Sequence, residues 1–201
     1  MTFVDFDPAR VPGGFHADPY PTYQLLREHS PVHRCPDGTW FLTRYADLDR
    51  IYRDRRAFSS DKKAVFGAKF GPTSELYAHH TTSLVFNDPP YHTRIRRAVV
   101  GALTPRVLRE MAPGVTQLVD RLLDRAAEAV EFDAIADFAS AIPVEVIGNL
   151  LTVPQSERTP LRRWSLAILG ALEPSLTPQQ ESAGNAAVRE FLDYLERLLR
   201  E

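Results

Sequence analysis

Apolar positions recur at helical spacing along most of this chain. The clearest case lies between residues 115 and 126, where apolar side chains return every three or four positions. Its members are Val115, Leu118, Val119, Leu122, Leu123 and Ala126. Such spacing gives an α-helix one apolar face, so these residues are predicted to lie in the core rather than in a functional site.

Similar patterns, with proline and capping residues at their boundaries, predict further helices. Thr104-Pro105 marks one helix start, and Pro113-Gly114 is predicted to break that helix before residue 115. Pro143 is predicted to bend or restart the helix that carries it, after a linker over 132–136. The other predicted helices cover 19–29, 45–53, 138–150, 161–172 and 188–201, with a loop over 174–180. In the helix over 161–172, Trp164, Ile168 and Leu169 are predicted to pack in the core rather than to line a pocket.

One short segment instead favours β-structure. Val32 to Cys35 and Trp40 to Thr43 flank the turn sequence Pro36-Asp37-Gly38. Residues with high strand propensity on both sides of a strong turn signal predict a β-hairpin. Two strands alone are marginal in water, so this hairpin is expected to need further support.

Residues 61–86 show no clean periodicity and contain Gly67, Gly71 and Pro72. They are predicted to form a long loop with one short helix at most, and ordered loops of this length are often functional. His79 and His80 lie within it. Without a third ligand nearby, adjacent histidines are predicted to be solvated rather than to bind a metal.

The most informative stretch follows directly. Asp88 is a good N-cap residue and Pro89 suits the first position of a helix. These residues predict a helix start. In that helix His92 and Arg96 would lie one turn apart, on the same side as Ile95, Val99 and Leu103. Arg94 and Arg97 fall on the opposite, solvated side. Because a buried guanidinium requires an anion, His92 and Arg96 together predict a carboxylate or phosphate at this face.

The run Asp88-Pro89-Pro90-Tyr91-His92-Thr93-Arg94-Ile95-Arg96-Arg97 resembles the start of the C helix of bacterial cytochromes P450. The resemblance implies that His92 and Arg96 hold the two propionates of a b-type haem. It also implies a mainly α, P450-like fold with a small β-hairpin, in which residues 1–201 form a partial domain, from the A helix through the G helix. Tyr91 stands where this family usually has an acidic residue, and Thr152 where it usually has glycine.

For an intact family member, the resemblance implies a haem-thiolate monooxygenase that inserts one atom of dioxygen into a small hydrophobic organic substrate. A ferredoxin-type partner would supply the electrons. This chain would contribute the propionate clamp and the distal lid over the substrate. In the segment just before the predicted C helix, Leu84 and Val85 are expected to face the substrate or the haem edge.

The resemblance also shows what this chain lacks. The oxygen-activating helix, the Glu-x-x-Arg pair and the iron-binding cysteine of the family have no counterpart here. Cys35 is the only cysteine and lies in the predicted hairpin, so neither a catalytic residue nor an iron ligand is assigned. The last apolar stripe continues to Glu201 without a capping residue, which indicates the amino-terminal part of a longer protein, inactive alone.

Composition narrows the remaining possibilities. The 201 residues are 44% hydrophobic and 25% charged, which is ordinary for a globular protein, and the formal net charge of -2 gives no reason to expect nucleic acid. No stretch approaches the roughly 20 apolar residues that span a bilayer, so no membrane partner is expected and the cytoplasm is the expected location. A single cysteine excludes an internal disulfide.

Two other interpretations remain open. The chain could be a catalytically inactive, stand-alone helical module that binds a partner or small ligand. It could also be a simple anion-binding protein that uses His92 and Arg96 for a phosphate or carboxylate ligand. The macromolecular partner of its open apolar face would be either the missing carboxy-terminal half or a second copy of the chain.

Overall fold

A computed structural model describes residues 5–200, apart from the side chain of Ala102. The chain divides into two compact units, residues 1–60 and 61–201. The sequence-based prediction of one partial domain over 1–201 therefore stays a prediction. No helix in the described part of the chain is both long enough and apolar enough to cross a bilayer.

The first unit contains two helices and the predicted hairpin. The helices are α1 (Tyr20–His29) and α2 (Tyr45–Arg53), and the strands are β1 (Val32–Arg34) and β2 (Trp40–Leu42). The strands are antiparallel, with Val32 opposite Leu42. Gly38 has a φ of 86° in the turn, a conformation that glycine adopts without steric cost. The predicted hairpin is confirmed.

Aromatic side chains form the small core of this unit. Phe6 and Leu26 are buried, and the rings of Phe15, Tyr23 and Phe41 pack around them. The centroids of Phe6 and Phe41 are 4.9 Å apart. By contrast, α2 buries none of its residues, although its sequence is amphipathic.

In the second unit, all the regular elements that the structure describes are helices. Its α-helices are α3 (Lys63–Phe70), α4 (Glu75–Thr82), α5 (Tyr91–Ala102), α6 (Pro105–Glu128), α7 (Ala141–Leu150), α8 (Thr159–Gly170) and α9 (Pro178–Leu198). A π-helical segment, Ala134–Ala139, precedes α7, and a 3₁₀ turn, Gln155–Glu157, precedes α8. The predicted mainly α class with one small β-hairpin is confirmed.

One apolar cluster joins α3, α4, α8 and α9. Leu76 from α4 and Val188 from α9 are completely buried at its centre. The other buried members are Phe66, Phe70, Val153, Trp164, Ile168, Ala171, Ala187 and Tyr194. Trp164 and Ile168 are buried in the core as predicted, although both also line the apolar cavity described below. Leu169 is exposed, and its predicted packing role is wrong.

Residues 61–86 form two helices, so the predicted loop with at most one short helix is wrong. Both α3 and α4 have eight residues, too few for a periodic pattern to become visible. They are held instead by tertiary packing of Phe66, Phe70 and Leu76. Ser74 caps α4 by accepting a hydrogen bond from the backbone N–H of Tyr77.

Two helix boundaries also differ from prediction. α6 continues through Pro113, because a proline removes a single backbone donor while the buried Leu118 and Leu122 hold the helix. α9 begins at Pro178, about ten residues earlier than predicted. Its first half buries Gly184 and Ala187, small residues that give no strong apolar pattern. Near Pro143 the helix does restart, at Ala141, as predicted.

Candidate functional site

The start of α5 follows two consecutive prolines. The helix begins at Tyr91, with Pro90 at the N-cap position, so the prediction of Asp88 as N-cap is wrong. Pro90 itself already has a right-handed helical backbone conformation, with a φ of -86° and a ψ of -16°. The Asp88 carbonyl still accepts a hydrogen bond from the backbone N–H of His92 at 3.1 Å.

His92 and Arg96 lie one helical turn apart on α5, as predicted. His92 is half-buried and Arg96 is exposed. Within the described residues, neither side chain has a hydrogen-bond or ion-pair partner from the rest of the protein. Both are therefore available to bind an anion from outside the chain.

The surroundings of this pair differ from the sequence-based expectation. Ile95 is half-buried, but Val99 and Leu103 are exposed, so the stripe and the Arg96 guanidinium are not buried. The physical reason is that no helix of the described unit packs extensively against α5. The burial argument for an anion does not hold here, and what remains is two unpartnered basic side chains on one face. Arg94 and Arg97 are exposed, as predicted.

A tight connection from α4 to α5 carries the two predicted substrate residues. Leu84 is half-buried and Val85 is 70% exposed. The next side chain, Phe86, packs edge-on against Phe66 with a centroid distance of 4.9 Å. Asn87, which the sequence analysis did not single out, is buried at 6% exposure.

His79 and His80 lie on α4, so the prediction of two solvated histidines on a loop is wrong. His80 is 2% exposed and packs among the rings of Phe66, Phe70 and Phe86. Burial lowers the pKa of His80 to about 4, and it also lowers the pKa of half-buried His79. His80 is neutral at physiological pH.

Three helices line an apolar cavity in the second unit that is partly open to solvent. The cavity has a volume of about 340 Å³ and lies between α7, α8 and α9. Its lining includes Val144 and Ile147 of α7, Trp164 of α8 and Phe191 of α9. Among the described residues, no group of three or more histidine, cysteine, aspartate or glutamate side chains is arranged to hold a metal ion. Cys35 is buried in the first unit.

Comparison with known proteins finds relatives in one family. No family model matches the sequence. The chain is 33% identical to 6-deoxyerythronolide B hydroxylase of Saccharopolyspora erythraea over 192 residues, which are 91% of this chain and 47% of the relative. It is 33% identical to cytochrome P450 monooxygenase PikC of Streptomyces venezuelae over 191 residues, 92% of this chain and 43% of the relative. The chain is related to the bacterial cytochromes P450.

Solved structures agree with this relationship to the P450s. The crystal structure of CalO2 matches 97% of this chain with a TM-score of 0.85 and 30% sequence identity, over 48% of its own length. The predicted resemblance and the P450-like fold are therefore confirmed. The chain spans less than half the length of the relatives described here, and the match covers about their amino-terminal 45%.

Proposed function

We propose that this chain is the part of a P450 monooxygenase that binds the haem propionates and contributes to the substrate-binding region. The reaction of the complete enzyme would insert one atom of dioxygen into a small hydrophobic organic substrate. The observation that carries this proposal is the pair His92 and Arg96, one turn apart on α5 and without a partner among the described residues. The relatives are P450 monooxygenases, which supports the reaction class.

The two side chains fit the acid groups of a b-type haem. Residues at positions i and i+4 of a helix have Cβ atoms about 6 Å apart, so both can reach groups on one edge of a porphyrin. The Arg96 guanidinium can donate two hydrogen bonds to one carboxylate, and an imidazole N–H of His92 can donate one to the other. When bound, the haem supplies the oxygen chemistry, and these residues hold its orientation.

Leu84 and Val85 are proposed to contact substrate. Both are apolar, and they follow α4 by two and three residues, shortly before the helix that carries the clamp. A solvent-exposed valine at the tip of an anchored connection is well placed to be covered by a hydrophobic ligand.

Further polypeptide is proposed to cover the apolar surface that this chain leaves exposed. Exposed apolar side chains on α5 include Val99 and Val100, and those on α7 and α8 include Ile147, Leu166 and Leu169. In the complete enzyme the carboxy-terminal half would pack here and would supply the iron ligand, since Cys35 is buried in the first unit. A ferredoxin-type protein would deliver electrons, and the enzyme would work in the cytoplasm. The chain alone is proposed to be inactive.

A haemin titration of the purified 201-residue chain tests the clamp. We expect a Soret change that saturates, with the dissociation constant raised about tenfold or more in His92→Ala and in Arg96→Ala, since a charged hydrogen bond contributes about 2 kcal/mol. Arg97→Ala is the matched control, because Arg97 is an exposed arginine of the same helix and is assigned no role in the clamp. Equal affinity in all four proteins would contradict the clamp. A thiolate-type spectrum of the reduced carbon monoxide complex would contradict the proposed inactivity.

A second candidate function is binding of another anion, which the same two unpartnered basic side chains favour. Haem dimethyl ester separates the two functions, because it keeps the porphyrin and removes both carboxylates. We expect tight binding of haemin, weak binding of the ester, and no competition by inorganic phosphate at millimolar concentration. Competition by phosphate with no binding of haemin would favour the simple anion-binding protein.

A further inference from the structure

Asn87 makes three side-chain hydrogen bonds in the connection between α4 and α5. Its Nδ2 donates to the backbone carbonyl of Thr81 at 2.8 Å and to that of Ser83 at 2.7 Å. Its Oδ1 accepts from Nζ of Lys63 on α3 at 3.3 Å. Lys63 in turn pairs with Asp61 at 2.7 Å. The amide therefore links the end of α4, the following connection and the start of α3.

These contacts suit asparagine in particular. The last carbonyls of a helix have no partner within the helix, and Thr81 lies in the last turn of α4, which ends at Thr82. Asparagine offers two N–H donors for two carbonyls and one oxygen for the ammonium group. An aspartate would instead direct a carboxylate oxygen at two carbonyl oxygens, and a leucine would leave all three groups without this partner.

The linked segment holds the residues assigned to the substrate. Leu84 and Val85 lie between Ser83, which Asn87 binds, and Phe86, whose ring packs against Phe66 and His80. The segment is thus fixed at both ends on the inner side while Val85 remains exposed. On the other side of Asn87, three residues lead to the start of α5 and so to His92.

We propose that Asn87 is a positioning residue, which fixes the segment from Ser83 to Pro90 and thereby sets the placement of Leu84, Val85 and His92. This inference rests on the proposed function for the role of those three residues. Asn87 itself would touch neither the haem nor the substrate.

Amide hydrogen exchange, measured by mass spectrometry on the full chain, tests the positioning without any ligand. Asn87→Asp removes the two donors and keeps an oxygen for Lys63, and Asn87→Ser is a milder second variant should the first fail to fold. We expect exchange of the peptide over 83–91 to become at least tenfold faster, with peptides of α8 and α9 unchanged. Asn185→Asp is the matched control. Its Nδ2 donates to the Glu181 carbonyl and its Oδ1 accepts from the Leu76 amide, away from this segment.

Haemin titration of the same variants tests the consequence for the clamp. We expect the dissociation constant for haemin to rise about fivefold in the Asn87 variants and to stay unchanged in Asn185→Asp. Unchanged exchange over 83–91, or a uniform increase across the second unit, would overturn the positioning role. Faster local exchange with unaltered haemin affinity would overturn the link to His92. If the unmodified chain binds no haemin, the proposed function fails, and the exchange comparison alone decides the role of Asn87.

Discussion

Arg158 lies directly against the backbone of α7 at Gly148. A Cβ atom built on Gly148 would be 2.5 Å from Nε of Arg158. Arg158 is only 8% exposed, and its Nε and one terminal nitrogen donate to the Val153 carbonyl at 3.0 and 2.8 Å. Its other terminal nitrogen pairs with Glu145 of α7 at 2.6 Å. The guanidinium therefore joins α7, the residues after it and the start of α8.

Replacing Gly148 with alanine is expected to displace this guanidinium. Because the displaced group would lose its bonds to Val153 and Glu145 while still largely buried, Gly148→Ala should lower the free energy of unfolding by about 2–4 kcal/mol. Urea denaturation followed by circular dichroism measures the change. Gly114→Ala in α6 is the matched control, since a Cβ there meets no atom within 4 Å. That variant should be stabilised by up to about 1 kcal/mol, and a similar loss in both would rule out the proposed clash.

Thr152 ends α7 in an unfavourable backbone conformation. Its φ is 58°, in the left-handed region. The N–H of Val153 bonds to the Gly148 carbonyl at 2.8 Å, and that of Thr152 to the Asn149 carbonyl at 3.2 Å. This pair of bonds is the Schellman motif, whose left-handed position glycine usually fills.

Thr152→Gly is therefore expected to stabilise the protein. A β-branched residue pays about 1–2 kcal/mol in the left-handed region, while glycine loses up to about 1 kcal/mol more conformational entropy on folding, so the net gain should be about 0.5–1 kcal/mol. Denaturant unfolding measures it. Thr116→Gly, at an exposed position inside α6, should have the opposite sign because φ there is helical. A destabilised Thr152→Gly would show that the threonine side chain makes a compensating interaction.

Local signals predicted several elements correctly, although the predicted Asp88 cap and the predicted break at Pro113-Gly114 are wrong. Gly38 in its turn predicted the hairpin, and the Asp88–Arg97 run predicted α5 and the shared face of His92 and Arg96. The sequence could not reveal α3 and α4, since α3 packs against α4, α4 packs against α9, and both helices contribute to a core shared with α8 and α9. Asn87 and Arg158 escaped notice for the same reason. Their hydrogen bonds go to carbonyls whose positions only the folded chain defines.

His80 makes stability depend on pH. Its pKa in the folded protein is about 4, compared with 6.5 for an ordinary histidine, because burial disfavours the charged form. The positive charges of His79 and Lys69 lower it further, and an interaction with the Ile168 backbone opposes the shift. The folded state thus binds a proton less readily than the unfolded state. The contribution of neutral His80 to the free energy of unfolding is therefore complete above pH 6.5. As the pH falls towards 4, this contribution is lost, by roughly 3 kcal/mol in total.

The comparison of His80→Leu with the unmodified chain isolates this contribution. Carboxylates also titrate over the lower part of this range, but they do so in both proteins. We expect the free energy of unfolding to fall more steeply between pH 7 and 4.5 in the unmodified chain than in His80→Leu. His79→Gln is the control, since His79 is half-buried and should account for less of the slope. Parallel pH profiles for the unmodified chain and His80→Leu would contradict a buried, neutral His80.

His33 joins the hairpin to the amino-terminal segment of the first unit. It is buried, its Nε2 lies 2.8 Å from the Phe6 carbonyl, and its Nδ1 lies 3.2 Å from Oγ of Ser30. Because a carbonyl can only accept, Nε2 carries the proton, and a neutral ring then accepts from the Ser30 hydroxyl through Nδ1.

His33→Leu should lower the free energy of unfolding of this unit by about 1–3 kcal/mol, since the Phe6 carbonyl would lose its partner in a buried setting. Ser30→Ala is the graded control and should cost about 1 kcal/mol or less, because it leaves the bond to Phe6 in place. Trp40 on β2 reports on this unit by fluorescence in a Trp164→Phe background, where it is the only tryptophan. An unfolding midpoint that shifts equally in both variants would show that the Phe6 bond adds nothing beyond the bond to Ser30.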